Sequence, residues 1–438
     1  MTIKRICKIS VLLSAFIIVS VLGAEVLTLE QAEKIALDRN IQLQIAEESM
    51  QQANAGFREA LGNALPSLSA YGQYTNNLEL PVMVIDVGFG PQSFKMGSTY
   101  NTTGGISLSQ PIFTGGALYS AIRMAKTGQN MAEIQAREEK NSVILTVRTL
   151  YYQLLLMESL IKATEESELS AKANLAMVQK KYDAGKANRF EVLQAEFKYR
   201  EIKPTLISLK NQKKMLLTNF KSFLNIDQDK ELNISGELNM MDNPFHDYSI
   251  DDIKEKAVAN RNELKLLTHQ KQMLHSQRLM AASSGLPKVS FSADLRHQAQ
   301  ANDMDDLEYF RSKNIGLNVS IPLISGGKNL ASVQKANIEL KKNELQLEQT
   351  INFIMADVEM AFLKVRETEE KIETNAALVN QAEEALRMVK LLYENGSATQ
   401  VELLNAESGL LGARSAYSSS IFEHNVAIIQ LKKSINQL

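Results

Sequence analysis

Pro111-Ile112-Phe113-Thr114-Gly115-Gly116 returns as Pro322-Leu323-Ile324-Ser325-Gly326-Gly327, 211 positions later (322 minus 111), and this doubled block decides the architecture. At the same offset, Tyr182-Asp183-Ala184-Gly185 pairs with Tyr393-Glu394-Asn395-Gly396, and Glu191-Val192-Leu193-Gln194-Ala195-Glu196 pairs with Glu402-Leu403-Leu404-Asn405-Ala406-Glu407. Upstream the offset is 221 (249 minus 28), matching Leu65-Pro66-Ser67-Leu68-Ser69 to Leu286-Pro287-Lys288-Val289-Ser290. Also at 221, Thr28-Leu29-Glu30-Gln31 and Ser249-Ile250-Asp251-Asp252 both read as helix N-caps with an acidic or amide residue three positions on. The change of offset puts a ten-residue insertion between Pro66 and Pro111. Two structural repeats follow, residues 25–225 and 247–438, joined by a polar linker at 226–246.

Each copy reads as helix, strand, strand, very long helix, helix. Residues 28–62 and 249–284 carry helical apolar spacing and stop before Leu-Pro. Segments 117–182 and 328–393 contain only Gly128 as a breaker, and 66 residues of helix would run ~99 Å. Val143, Val147, Leu150, Leu154, Met157 and Ile161 step by fours and threes, a coiled-coil seam. A helix of this length outruns any globular core, which favours extended helix-on-helix packing over an ordinary amphipathic helix. The last segments, 188–225 and 399–436, together with the first match the long helix end to end, so one long helix should be flanked by two shorter ones in line. Pro204 is expected to interrupt and kink one of them.

Between helices, residues 67–75, 105–110, 288–296 and 315–321 alternate. One face collects Leu68, Ala70, Ile106, Leu108, Val289, Phe291, Leu295, Ile315 and Leu317. The other collects Ser69, Tyr71, Ser107, Asp294, Arg296 and Asn318. Taken alone, the pattern fits a soluble sheet with one buried face as well as a lipid-facing strand set. Residues 77–103 and 298–313 are expected to be loops at the end opposite the helices.

The compartment tips the balance. Lys4, Arg5 and Lys8 precede an apolar run, Ile9–Leu22, with Gly23 and Ala24 after it. Residues 1–24 read as a secretory signal, too short in the apolar part for an anchor. Removing them takes three positive charges and Cys7, so a net −2 becomes −5 with no cysteine left to oxidise outside the cytoplasm. No other stretch looks apolar enough for a spanning helix, so a membrane crossing should be made of strands. Four strands cannot close a barrel, and open edges in lipid cost several kcal/mol per unpaired backbone group, so neighbouring chains must supply the rest.

The doubled pattern of Leu-Pro strand, strand-Pro-x-x-x-Gly-Gly, long helix and Tyr-x-x-Gly-x5-Glu-(Val/Leu)-Leu-x-Ala resembles the TolC family of outer-membrane channel proteins over essentially the whole chain after residue 24. The resemblance implies a mainly α fold with membrane β: a long antiparallel coiled-coil α-barrel, plus four strands per chain in a trimeric 12-stranded β-barrel. It implies an exit duct through the outer membrane into the periplasm, serving a tripartite efflux pump or type I secretion. The implied partners are two further copies, a periplasmic adaptor protein, an inner-membrane transporter and outer-membrane lipid.

By the same resemblance the helical turns meet the adaptor, through Gly185, Lys186, Gly396 and Ser397. A gate is implied at Glu402, Asn405, Glu191 and Tyr393, with Glu402 repeated around a threefold axis as a cation filter. A helix turn without a partner and a solvated charge are the plainer readings of the same residues. Asn405 stands where the best-known family pattern has an acid, and Ala398 where an arginine latch is expected, which leaves Lys186 and Arg189 as candidate latch cations. Asp294 and Arg296 would face the barrel lumen.

Composition excludes other classes. With 48 basic and 50 acidic residues there is no nucleic-acid footprint. His246, His269, His275, His297 and His424 lack ligand spacing, and Gly88-Phe89-Gly90 lacks the strand and helix of a phosphate cradle. No nucleophile–base constellation supports an exported hydrolase, and no catalysis, cofactor or metal is assigned. A periplasmic coiled-coil adaptor is the remaining alternative, and it would carry one helical hairpin in a β-rich chain, not two copies.

Overall fold

The computed structural model describes residues 25–86, 88 and 90–438; the signal expected over 1–24 lies outside the described residues. In chain order the elements are β1 (Glu25–Leu27), α1 (Leu29–Arg39), α2 (Ile41–Gly62), β2 (Ser67–Asn76), β3 (Val82–Asp86), β4 (Pro91–Lys95), β5 (Tyr100–Phe113), α3 (Ala117–Asp183) and α4 (Arg189–Phe223). Then come β6 (Leu232–Ile234), α5 (Ile250–Asn260), α6 (Asn262–Ser283), β7 (Lys288–Ala301), β8 (Tyr309–Ser320), α7 (Lys328–Glu394) and α8 (Gln400–Ser434).

The two long helices are 67 residues each, about 100 Å of rise. Each starts from its Gly-Gly pair: Gly115 and Gly116 have φ of +64° and +88°, Gly326 and Gly327 +59° and +79°. Two successive left-handed residues turn a strand sharply into a helix, and only glycine adopts them freely. Space is short too, since a Cβ on Gly115 would come within 2.8 Å of both Leu286 Cβ and the Ser283 carbonyl.

Alongside α3 lie α1, α2 and α4, whose 11, 22 and 35 residues match its length; α5, α6 and α8 repeat this on α7. The seam holds, with Val143, Val147, Leu154 and Met157 buried and Leu150 packed against the same core. The core sits where the short helices meet end to end beside the middle of the long one. Ala32, Ala36, Phe220 and Leu224 close on Val147 and Tyr151 in the first half; Ile253, Ala257, Val358, Phe362, Ile428 and Leu431 do so in the second. Each fully buried aliphatic or aromatic side chain contributes about 1.5–3 kcal/mol.

The structure corrects several expectations. The first helix of each copy is broken in two, at Asn40 and at Arg261. Asn40 caps α2 by accepting from the Gln42 and Leu43 amides (2.9 and 3.2 Å) and donates to the Phe223 carbonyl at the end of α4 (2.9 Å). The end of the returning helix fastens the break: Asn225 and Asn436, both left-handed, donate to the Arg39 and Asn260 carbonyls (3.3 and 3.2 Å). Pro204 does not interrupt α4, which is helical throughout; the carbonyl it leaves unpaired is on an exposed stretch, open to water. The linker is structured as well. Its β6 pairs in parallel with β1, and Tyr151 donates to the Leu27 and Ser235 carbonyls across them. Finally, α3 does contain an 18-residue window of mean hydropathy 1.2, a third of it buried. Its apolar character belongs to a helix packed along α1, α2 and α4.

At one end, β2, β5, β7 and β8 form a four-stranded antiparallel sheet in that order, with β2 and β8 as open edges. The presumed loops are largely strand: β5 starts at Tyr100, β7 runs to Ala301 and β8 begins at Tyr309, so only 302–308 bridge the last pair. Polar residues continue the ladder once cross-strand partners are present, which alternation in one strand does not reveal. The insertion of the first copy is a separate hairpin, β3–β4.

The register keeps the two faces distinct. Leu68, Leu108, Ala293 and Ile315 lie in one cross-strand row, and Ser69, Ser107, Asp294 and Asn314 in the next. The apolar face is bare in the single chain, with Leu68 at 70% and Ile315 at 79% exposure.

Candidate functional site

The residues singled out in the sequence gather at two places, the turns at the far end of the long helices and the polar face of the sheet.

Both turns close identically. Gly185 (φ +68°) donates to the Tyr182 carbonyl at 2.9 Å and Lys186 to the Lys181 carbonyl at 2.7 Å; Gly396 (φ +77°) donates to Tyr393 at 3.2 Å and Ser397 to Leu392 at 2.8 Å. This paired closure needs a left-handed residue just past the helix, which glycine supplies. It leaves Gly185, Lys186, Gly396 and Ser397 exposed at the tip.

The next helices start on side-chain caps that occupy both expected gate carboxylates. Asn188 accepts from the Glu191 amide (2.9 Å) and donates to the Glu191 carboxylate (3.0 Å). Thr399 accepts from the Glu402 amide (3.3 Å), while Glu402 Oε2 accepts from the Thr399 amide and hydroxyl (2.7 and 2.9 Å). These bonds, the backbone one foremost, hold the Glu402 carboxyl below the usual carboxylate range. Glu402 is exposed, so its charge remains available to solvent. The Thr-x-x-Glu spacing announces this cap in the sequence, as Thr28-x-x-Gln31 and Ser249-x-x-Asp252 announce theirs.

Tyr393 is buried, at 5% exposure, against Val178, Val192, Ala195 and Leu403, so α3, α4, α7 and α8 all meet on it. Burial, and then the nearby Glu191 charge, push its hydroxyl above the ordinary tyrosine value. Lys186 and Arg189 make no side-chain ion pair among the described residues; the cation at Tyr393 is Lys181, 4.0 Å from the ring centre. Sequence reasoning missed it, because Lys181 lies in the other repeat and only the packing of α3 on α8, itself packed on α7, brings it there. Asn405 is exposed on α8, where it lines a groove of about 660 Å³ with Phe190, Leu193, Phe197 and Val401.

Further from the tip, Arg414 on α8 bridges Glu166 on α3 (2.6 Å) and Glu383 on α7 (2.8 Å). Ser170 on α3 donates to Glu407 on α8 at 2.8 Å. Burial raises the Glu407 carboxyl, an effect that Ser170 and the more distant Lys198 and Lys390 oppose.

On the polar face, Asp294 and Arg296 do come together, through a third residue. Tyr71 Oη donates to Asp294 at 3.1 Å and accepts from Arg296 Nε at 3.2 Å, and Arg296 lies 3.5 Å from Asp294. Gly105 stands opposite both Tyr71 and Arg296, and a Cβ there would collide with the Tyr71 ring. Among the described residues, no three His, Cys, Asp or Glu side chains converge as metal ligands.

Comparison with known proteins agrees with this geometry. The pattern of the family described as "Outer membrane efflux protein" matches residues 33–221 and 254–436. The alkaline protease secretion protein AprF of Pseudomonas aeruginosa is 21% identical over 437 residues, covering 99% of this chain and 89% of its own. The outer membrane protein TolC of Escherichia coli is 20% identical over 351 residues, 77% of this chain and 70% of that protein. The crystal structure of the outer membrane protein VceC from Vibrio cholerae superposes with a TM-score of 0.77 at 16% identity, covering 93% of this chain and 95% of the other. With both halves matched and the fold shared, this chain belongs to the outer membrane efflux protein family.

Proposed function

We propose that three copies of this chain form a passive exit duct of a tripartite efflux pump, crossing the outer membrane as a twelve-stranded barrel and the periplasm as a helical tunnel. The observation that carries it is the four-stranded sheet at one end of ~100 Å helices, with both edges open and one face apolar. Open edges in lipid are untenable, and pooling strands from identical copies removes them. The polar face, with Tyr71, Asp294 and Arg296, then lines the water-filled lumen.

At the other end, the exposed turns at Gly185–Lys186 and Gly396–Ser397 receive a periplasmic adaptor protein. Tyr393, Glu191, Glu402 and Asn405 form the constriction behind them. Glu402, held ionised by its cap, favours cations there. The chain acts as a conduit, not an enzyme.

The test is recovery from the outer-membrane fraction as a heat-modifiable trimer that conducts ions in planar bilayers. A chain that stays monomeric in detergent and conducts nothing overturns the reading. A second reading, an exit duct for exported proteins, is favoured by the likeness to the secretion protein AprF along 99% of this chain. Cross-linking in cells, followed by identification of the captured inner-membrane component, separates the two.

A further inference from the structure

The outward face of the sheet carries charges that a lipid face does not normally hold. In the register, Gly72, Gly104, His297 and Arg311 form one cross-strand row on the same face as Leu68 and Ile315. The next row toward the helices is Ala70, Ile106, Leu295 and Lys313; the next toward the loops is Tyr74, Thr102, Ala299 and Tyr309. The cations therefore sit between an apolar band and a tyrosine girdle, in the half of the barrel near the loops. No Asp or Glu lies on this face of the four strands. The sheet's one ion pair among the described residues, Arg296–Asp294, is on the opposite face. An exposed Arg or Lys costs ~2–4 kcal/mol at the bilayer midplane and less toward the interface, so these side chains call for an anionic partner within the outer leaflet.

Beside them is a cavity. Gly72 and Gly104 floor a groove of about 670 Å³, with Tyr74 and Tyr309 at its outer end, Ile106 and Leu295 at its inner end and His297 at its side. A Cβ on Gly72 would meet nothing within 4 Å, so the groove is open for want of side chains.

We infer that this face binds a phosphorylated, acylated glycolipid of the outer leaflet, with its phosphates on Arg311, Lys313 and His297 and an acyl chain in the Gly72–Gly104 groove. The site rests on the barrel reading above, which turns this face to lipid. Arginine and lysine one row apart, about 7 Å along the strand, can engage one phosphate together or two neighbouring ones. The apolar groove with aromatic rings at its mouth accepts hydrocarbon while leaving a polar head at the level of the tyrosines.

The experiment is native mass spectrometry of the detergent-solubilised full-length protein titrated with bis-phosphorylated lipid A, with dephosphorylated lipid A and phosphatidylethanolamine as competitors. Wild type should retain the phosphorylated lipid at least tenfold more tightly than either competitor. Arg311→Ala/Lys313→Ala should lose that preference, Arg311→Lys/Lys313→Arg should keep it, and Gly72→Val should weaken retention severalfold with all charges in place. Equal retention by the double alanine variant, or equal retention of the dephosphorylated lipid, overturns the inference. Conductance of the same wild-type preparation separates the two claims: a conducting protein without the lipid preference refutes only this site, whereas a non-conducting one refutes the barrel on which it rests. Should the alanine variant fail to assemble, Gly72→Val and the charge-keeping pair still decide.

Discussion

The ammonium of Lys181, near the end of α3, lies 4.0 Å from the ring centre of Tyr393 on α7 and donates to the Tyr393 backbone carbonyl at 3.3 Å. One side chain of the first repeat thus clamps the last turn of the second repeat's long helix, at the level of the proposed constriction. A cation over an aromatic ring is worth roughly 0.5–2 kcal/mol depending on how dry it is, enough to bias a gate.

Lys181→Met keeps the aliphatic stem and removes the clamp. Single-channel conductance or open probability should rise, and the tip should lose about 1 kcal/mol of stability. Conductance equal to wild type would show that the pair is structural only.

Arg414 holds Glu166 and Glu383 at once, so α3, α7 and α8 are tied by one guanidinium. Arg414→Gln should make opening easier and less dependent on ionic strength, since salt already weakens the wild-type tie. The expected loss is below about 1 kcal/mol per bridge, because the groups are partly exposed. Channel recordings across a salt series check both points.

Glu402 has two separable roles. Glu402→Gln preserves an N3 side chain able to cap Thr399 and removes the charge, so cation preference should fall with α8 intact. Glu402→Ala should also fray the helix start, since the Thr399 amide and hydroxyl lose their acceptor. Unchanged selectivity in the glutamine variant would exclude Glu402 from the filter.

The pH response of the tip has two phases of opposite sign. Burial raises the Glu407 carboxyl, so the folded tip binds that proton more tightly than the unfolded chain. The folded state gains stability as pH falls through the raised value, because the desolvated carboxylate is discharged, and the gain is complete below the ordinary carboxylate range. Glu402 is lowered, so its capping contribution is complete above the ordinary range and lost as pH falls through the lowered value. Protection factors, with the intrinsic pH dependence of amide exchange divided out, should therefore rise in α8 around residue 407 on mild acidification, then fall around 400–403 at lower pH. Glu407→Gln should abolish the first phase alone.

Much of this architecture is legible in the sequence because it depends on periodicity and on glycine. The long helices extend one residue past their expected ends, since their boundaries are set by Gly-Gly and Tyr-x-x-Gly. The alternating faces survive in the register. What stayed hidden depends on partners distant in the chain. The break at Asn40 needs Phe223, and the Asp294–Arg296 pair is completed by Tyr71. Strands that run on to Ala301 and back from Tyr309 carry Arg311 and Lys313 onto the apolar face, within the stretch 298–313 that the sequence reads as a loop. The capping roles of Glu191 and Glu402 are readable locally, since each acid stands three residues after a capping side chain, Asn188 and Thr399.

The parallel pairing of β1 with β6 carries a kinetic consequence. Residues 25–27 find their partner only at 232–234, so this clasp cannot form until about half the polypeptide has been delivered. Such a contact of high sequence separation is slow to close. Maturation of the first half must therefore wait on the segment that introduces the second, and an amino-terminal fragment ending before residue 232 should remain unclasped and prone to proteolysis.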